Sequence, residues 1–189
     1  MISSLSELKK VFSFLEKAKK QLKDDSVPFD QEIETGVMIE VPGAVMIADT
    51  LARKVDYFSI GTNDMIQYTM AIDRGNEQVA YLYDPLNPAV IRMIQQTVEA
   101  GHKQGIEISV CGEMAGDILT APVLMGLGVD ELSMRPSALP FVKRLLRQSS
   151  TNQLAELSER VLDCDDGEAV RSYLKSYLPK QYPEEFGNR

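Results

Sequence analysis

Short apolar runs alternate with longer stretches of helical spacing along this chain. Leu5, Leu8, Phe12, Leu15 and Leu22 fall near a 3.6-residue repeat with polar residues between them, which predicts an amphipathic helix over residues 5–23. Ser4 and Glu7 have the spacing of a capping box at its start: Ser4 accepts from a free backbone N–H and Glu7 reaches back. A polar break, Lys23 to Pro28, closes that helix. Residues 36–40 then form a short continuous apolar strand of the kind found in sheets covered on both faces. Pro42-Gly43 ends the strand, and a helix is expected over 43–53. The next strand, 55–61, runs out into a turn at Gly61-Thr62-Asn63-Asp64. Its first half is apolar, and its end offers a hydroxyl, an amide and a carboxylate.

Residues 64–86 read as an irregular insertion with helical pieces around 66–71 and 79–83. Asn87-Pro88 is a helix start, with Asn87 as N-cap and Pro88 in the first helical position. That helix runs to about 104, where Gly105 terminates it. A strand over 106–111 follows, then a helix capped by Asp117 and ending at Gly126 or Gly128, then a strand over 131–134. Helices are expected at about 137–148, 151–162 and 167–177, with a polar, frayed tail from Pro179.

Strands alternating with helices imply βαβ units and a parallel sheet, hence an α/β fold. Successive βα units put every strand's C-terminal end on one face, the face that carries chemistry in barrels and open α/β sheets. Four strands are too few for a closed (β/α)8 barrel of about 250 residues. The chain also opens on a helix, as though a preceding strand were cut away. It reads as the C-terminal half of a (β/α)8 TIM barrel over residues 1–148, followed by a C-terminal helical extension and tail over 149–189.

Composition narrows the partners. The 189 residues are 44% hydrophobic and 25% charged, an ordinary globular balance. The net charge of −8 and pI of about 4.8 match neither nucleic acid nor an anionic membrane surface. No apolar run is long enough for a bilayer span, no signal-peptide pattern opens the chain, and Cys111 and Cys164 sit in unlike contexts. A soluble cytosolic protein is the expectation.

Three strand ends carry candidate chemistry. Glu40 ends one apolar strand, and Asp64 follows the next, one βα unit later. A buried lone carboxylate is costly unless it is paired or metal-bound. Neighbouring strands lie about 4.8 Å apart, so the two can share one hard divalent cation, and Mg²⁺ accepts such a set with water and substrate oxygens completing it. The alternative has Glu40 capping a helix and Asp64 serving the turn. Asn63 orients substrate oxygens or is turn chemistry. Arg74 clamps an anion bidentately or pairs with Asp73 or Glu77 at the surface. Cys111, before Gly112-Glu113, is an inert buried thiol or a general acid. Cys164 lies among acids that raise its pKa and has no assigned role. His102, the one histidine, reads as a solvated surface residue.

Taken together, four linked motifs resemble the phosphoenolpyruvate-utilising enzymes: Gly36-Val-Met-Ile-Glu40-Val-Pro42, Asp56-Tyr-Phe-Ser-Ile-Gly-Thr-Asn-Asp64, Gln67-Tyr-Thr-Met-Ala-Ile-Asp-Arg74-Gly-Asn76 and Cys111-Gly-Glu-Met-Ala-Gly116. The resemblance runs from residue 1 to about 148. It is nearest the Enzyme I branch, the phosphoenolpyruvate–protein phosphotransferases of bacterial phosphotransferase systems, with pyruvate phosphate dikinases and phosphoenolpyruvate synthases as related alternatives. It implies Glu40 and Asp64 as Mg²⁺ ligands, Asn63 and Arg74 as phosphoenolpyruvate ligands with Arg74 on the phosphate, and Cys111 as proton donor to the enolate of pyruvate. It also implies a phosphocarrier protein as partner, a homodimer, and a cytoplasmic role in sugar transport or its nitrogen-related counterpart.

Departures from the family pattern limit what is expected of this chain. The family's phosphoryl acceptor is a histidine in a separate N-terminal domain, and His102 does not match that motif. The phosphate-binding arginines of the earlier barrel strands are absent as well. A truncated piece, unable to complete the transfer alone, is the expectation. A binding or dimerisation module is the competing reading from another class, and a Mg²⁺-dependent barrel lyase is a third.

Overall fold

The computed structural model describes residues 1–73 and 75–186. Arg74, one of the residues singled out above, therefore lies outside the described residues. In chain order the elements are α1 (Leu5–Asp24), β1 (Gly36–Ile39), α2 (Pro42–Met46), α3 (Ala48–Ala52), β2 (Tyr57–Gly61), α4 (Thr62–Thr69), a 3-10 turn (Ala80–Leu82), α5 (Pro88–His102), β3 (Glu107–Cys111), α6 (Glu113–Gly116), α7 (Ala121–Gly126), β4 (Glu131–Ser133), α8 (Leu139–Arg147), α9 (Thr151–Leu162), α10 (Gly167–Gln181) and α11 (Pro183–Phe186). The four strands form one parallel sheet in sequential order β1-β2-β3-β4. This is the α/β arrangement that the strand–helix alternation predicts, with all strand ends on one side.

The register fixes which residues face the helices. Val37, Ile39, Phe58, Ile60, Ile108 and Val110 point to the covered face and are buried against α2, α3, α4 and α5. Each such side chain contributes about 1.5–3 kcal/mol by leaving water. The alternate positions, Met38, Tyr57, Ser59, Glu107, Ser109, Glu131 and Ser133, are exposed or half-buried. The expectation of a sheet covered on both faces is corrected here: among the described residues, helices cover one face only. The other lines an open trough of about 780 Å³. The run Gly36-Val-Met-Ile-Glu looks continuous because Met38, though apolar, lies on the bare face.

Local chemistry explains the strand entrances. Asp56, just before β2, accepts from the Thr35 backbone N–H at 2.7 Å. Asp130, just before β4, accepts from the Ile108 N–H at 2.8 Å and from His102 Nε2 at 2.9 Å. These acids and the exposed His102 close the N-terminal end of the sheet, opposite the strand ends that carry Glu40, Gly61 and Cys111.

Several predicted boundaries shift. The helix expected over 43–53 is broken at Ile47 (φ −117°, ψ 18°), which keeps Ala44 and Val45 on one side of the break and Ala48, Leu51 and Ala52 on the other turned into the core. The Gly-Thr-Asn-Asp turn is instead the first turn of α4: Thr62, Met65 and Ile66 are buried at helical spacing, so β2 passes into a helix with no loop between. Asp117 caps a single turn, accepting from the N–H groups of Leu119 and Thr120, and α7 begins only after Thr120. Ser4 caps α1 as expected, but Glu7 reaches one residue further back, to the N–H and hydroxyl of Ser3. The α1 start also holds the Glu7 carboxyl below its ordinary value, through the bonds from Ser3 first. Asn87 accepts from the Ala89 N–H, as its cap role requires.

Over the described residues 179–186, the tail is helical where fraying was expected. Helix α10 continues through Pro179, and α11 follows. Tyr182 and Glu185 are buried, with Tyr182 Oη bonded to Ser149 Oγ at 2.7 Å and Glu185 paired with Arg144. Helices α9 to α11 share a second core with Leu86, Ile91, Val123 and Leu145.

Candidate active site at the strand ends

Each apolar strand holds its inner half in the core and releases a polar residue where it stops. Glu40 follows β1. Its side chain lies over Gly61: a methyl at position 61 would sit 3.0 Å from Glu40 Oε2. Glu40 is 6% exposed, and the nearest cation among the described residues is the Met1 α-ammonium, 3.4 Å from Oε1. Asp64 is held half-exposed in the first turn of α4. Gly61 pairs with Cys111 across β2 and β3, which sets the thiol directly beside the β2–α4 junction.

Side-chain bonds lock that junction to the end of β3. Thr62 Oγ1 donates to the Cys111 carbonyl at 3.0 Å, and Asn63 Oδ1 accepts from the Glu113 N–H at 3.3 Å. Gly112 lies between them at φ +113°, where a side chain would strike Thr62 Oγ1 at 2.5 Å. The Cys111 thiol is half-buried, donates to the Ile60 carbonyl at 3.6 Å and accepts from Ser59 Oγ at 3.7 Å. Asn63, Cys111, Gly112, Glu113, Ser133 and Arg135 border a cavity of about 580 Å³ at this end of the sheet.

Of the predicted residues, the structure gathers Glu40, Asn63, Asp64 and Cys111 at adjoining ends of β1, β2 and β3. The sequence reading missed Ser59, Tyr83 and Arg135. Ser59 is legible in hindsight as the polar alternate position two residues before Gly61. Tyr83 Oη bonds Asn63 Oδ1 at 3.2 Å from within the insertion, and no periodicity could have announced it. Cys164 has its thiol pushed up by burial first and by Asp163, Asp165 and Asp166 next, so the direction expected from the acids holds while burial leads.

The donor set fits a hard divalent cation. Glu40 brings a carboxylate out of water, and Asp64 brings a second from the neighbouring strand end. Among the described residues no group of three or more His, Cys, Asp or Glu could hold a metal, so water and ligand oxygens would complete the coordination, as Mg²⁺ prefers. Among the described residues, also, no helix is long and apolar enough to cross a membrane.

Fold and site together define an α/β protein whose polar side chains collect at the C-terminal ends of a parallel sheet. Residues 1–151 match the family described as PEP-utilising enzyme, PEP-binding domain, and the chain belongs to that family. It is similar to a phosphoenolpyruvate-protein phosphotransferase of Staphylococcus carnosus (strain TM300), 42% identical over 177 residues, 94% of this chain and 31% of that protein. Proteins of the same description from Staphylococcus aureus and Enterococcus faecalis (strain ATCC 700802 / V583) are 41% and 42% identical over 178 residues, again 94% of this chain and 31% of theirs. The chain thus spans about a third of the length of the curated relatives it matches.

Proposed function

We propose that this chain carries the metal-ligating and proton-donating side of a phosphoenolpyruvate–protein phosphotransferase of the Enzyme I type. The observation that carries the reading is the convergence of Glu40, Asn63 and Cys111 on the Gly61 junction. Glu40 and Asp64 hold the Mg²⁺. Asn63 donates from its carboxamide to a substrate oxygen, and Arg74 binds the phosphate. A bound Mg²⁺ supplies Lewis-acid stabilisation of negative charge on the substrate's oxygens.

The reaction balances as follows. The P–O bond of phosphoenolpyruvate breaks, the phosphoryl group passes to an imidazole nitrogen, and pyruvate enolate remains. Cys111 gives its proton to the methylene carbon, producing pyruvate, and the thiolate recovers a proton from solvent. The acceptor imidazole is not His102, which is bonded to Asp130 at the far end of the sheet. It belongs to a histidine-bearing domain of the parent protein, which in turn serves a phosphocarrier protein. Among the described residues, the sheet face without helices and the edge strands β1 and β4 support closure by further barrel strands and association into a homodimer. A cytoplasmic place in sugar uptake or its nitrogen-related counterpart goes with that reading.

The test needs neither the acceptor nor the phosphate-binding arginines. Pyruvate with Mg²⁺ and this chain in D₂O should exchange its methyl protons, followed by proton NMR. Cys111→Ala should slow the exchange about 100-fold or more, the usual contribution of a positioned acid–base group. No exchange above buffer by the unsubstituted chain would overturn the reading; equal exchange by the variant would remove Cys111 from it.

A further inference from the structure

The insertion between α4 and α5 ends on the site. Tyr83 Oη donates to Asn63 Oδ1 at 3.2 Å, and the Glu113 backbone N–H donates to the same oxygen at 3.3 Å. A backbone N–H can only donate, so the atom it faces is the carbonyl oxygen of the carboxamide. The NH₂ group is thereby fixed as the other arm of Asn63, and among the described residues it donates to nothing. The residue after Tyr83 is clamped from the other side. Asp84 Oδ1 accepts from the Leu86 N–H at 3.0 Å and from Arg171 Nη2 at 3.0 Å. Gly167, the first residue of α10, packs so closely that a methyl there would come within 1.8 Å of Asp84 Oδ2.

We propose that Tyr83 is a positioning residue that presents the Asn63 NH₂ group to an anionic oxygen of the substrate, and that Arg171 of α10 holds Tyr83 in place through Asp84. The C-terminal helices, outside the residues that match the family, would then set the geometry of a substrate donor at the strand ends. The positioning claim stands on the hydrogen bonds; its consequence for substrate rests on the proposed function.

Two readouts separate these. The side-chain amide pair of Asn63 is assigned in a ¹⁵N spectrum of the whole chain by its loss in Asn63→Asp. Tyr83→Phe, which removes one hydroxyl and keeps the ring, should shift and broaden that pair while the urea midpoint stays near that of the parent chain. Arg171→Ala should move it in the same direction by less. In calorimetric titration with phosphoenolpyruvate and Mg²⁺, Tyr83→Phe should weaken binding about 5- to 20-fold, the scale of one hydrogen bond to a charged group. In an Asn63→Ala background the same change should cost nothing further. An unmoved amide pair in Tyr83→Phe overturns the proposal, as does an equal affinity loss in both backgrounds. If the parent chain binds no phosphoenolpyruvate, the functional reading fails instead, and the amide resonances alone still decide whether Tyr83 holds Asn63.

Discussion

Alanine at position 61 separates the site's chemistry from the fold's stability. Gly61 has φ −85° and ψ 85°, so its backbone suits any residue. A Cβ there would lie 3.0 Å from Glu40 Oε2, 3.1 Å from Glu40 Cβ and 3.1 Å from Met38 Sδ. All three are side-chain atoms, and Met38 is exposed and able to swing away. Overpacking of this mild kind sits at the low end of about 1–3 kcal/mol. The stiffer unfolded chain returns about 0.4–1 kcal/mol. The net cost is about 1 kcal/mol or less, a melting shift of about 2–4 °C. The carboxylate has less freedom to yield, because Glu40 is buried. A displacement of a few tenths of an ångström matters to Mg²⁺, which demands near-ideal octahedral geometry. Changes in the groups that support metal ligands cost about 10–100-fold in affinity. Gly61→Ala should therefore need at least about tenfold more Mg²⁺ for half-maximal pyruvate exchange, with calorimetry as the independent measure. Glu40→Gln should reproduce the loss. An unchanged Mg²⁺ requirement alongside unchanged stability would show that Glu40 does not ligate the metal. A stability loss above about 3 kcal/mol would instead refute the packing estimate.

Two further outcomes bear on the helical layer. A methyl at Gly126 would meet backbone, 2.0 Å from the Leu154 carbonyl oxygen and 2.7 Å from its carbon, so α7 and α9 must move apart; Gly126→Ala should cost about 3 kcal/mol, lowering the urea midpoint at constant m, and a loss under about 0.5 kcal/mol would contradict the contact. Burial raises the Cys164 thiol and the Tyr173 and Tyr177 phenols, with the acids around Cys164 adding to the first and neighbouring phenols to the others. Groups raised in the folded state contribute stability that is complete below their unfolded values, about 8.5 for thiol and about 10 for phenol, and that is lost as pH rises through the folded ones. The urea midpoint should fall as pH climbs above about 8.5, and Cys164→Ser should remove the lower part of that fall; a flat midpoint from about pH 8 to 11 would refute the assignment.

The strands were legible because their covered faces are made of Val, Ile and Phe at alternate positions, and the caps because Ser4 and Asn87 use chemistry that acts within three residues. The site residues were legible for a related reason. A strand of four or five residues must stop somewhere, and a polar residue just past the apolar run is held at the sheet's end by the run itself. What escaped were features settled by distant segments. Met38 reads as core until the sheet shows a bare face. Pro179 reads as a helix stop, yet α10 continues because Leu178 and Tyr182 are buried together with Val161 and Leu145. The Gly-Thr-Asn-Asp stretch reads as a turn, yet burial of Thr62, Met65 and Ile66 makes it a helix.

The same division runs through the site itself. Glu40 and Cys111 owe their places to the strands and Asp64 to the first turn of α4, so the 1–151 portion that matches the family contains the elements that place all three. Asn63 is different. Its backbone is placed by β2 and α4, but its carboxamide has a free torsion that the strand cannot set. Two hydrogen bonds fix that torsion. One comes from the N–H of Glu113, the first residue of α6, and the other from Tyr83, in an insertion whose Asp84 is bonded to Arg171 of α10. A chain cut at residue 151 would keep Glu40, Asp64 and Cys111 on their elements and lose the Arg171 clamp. Tyr83 would remain in such a chain, without the Arg171 contact to Asp84 that the proposal gives the task of holding it. On the proposed reading, the helices past residue 151 do more than cap the second core: through Arg171 and Asp84 they steady the residue that orients Asn63.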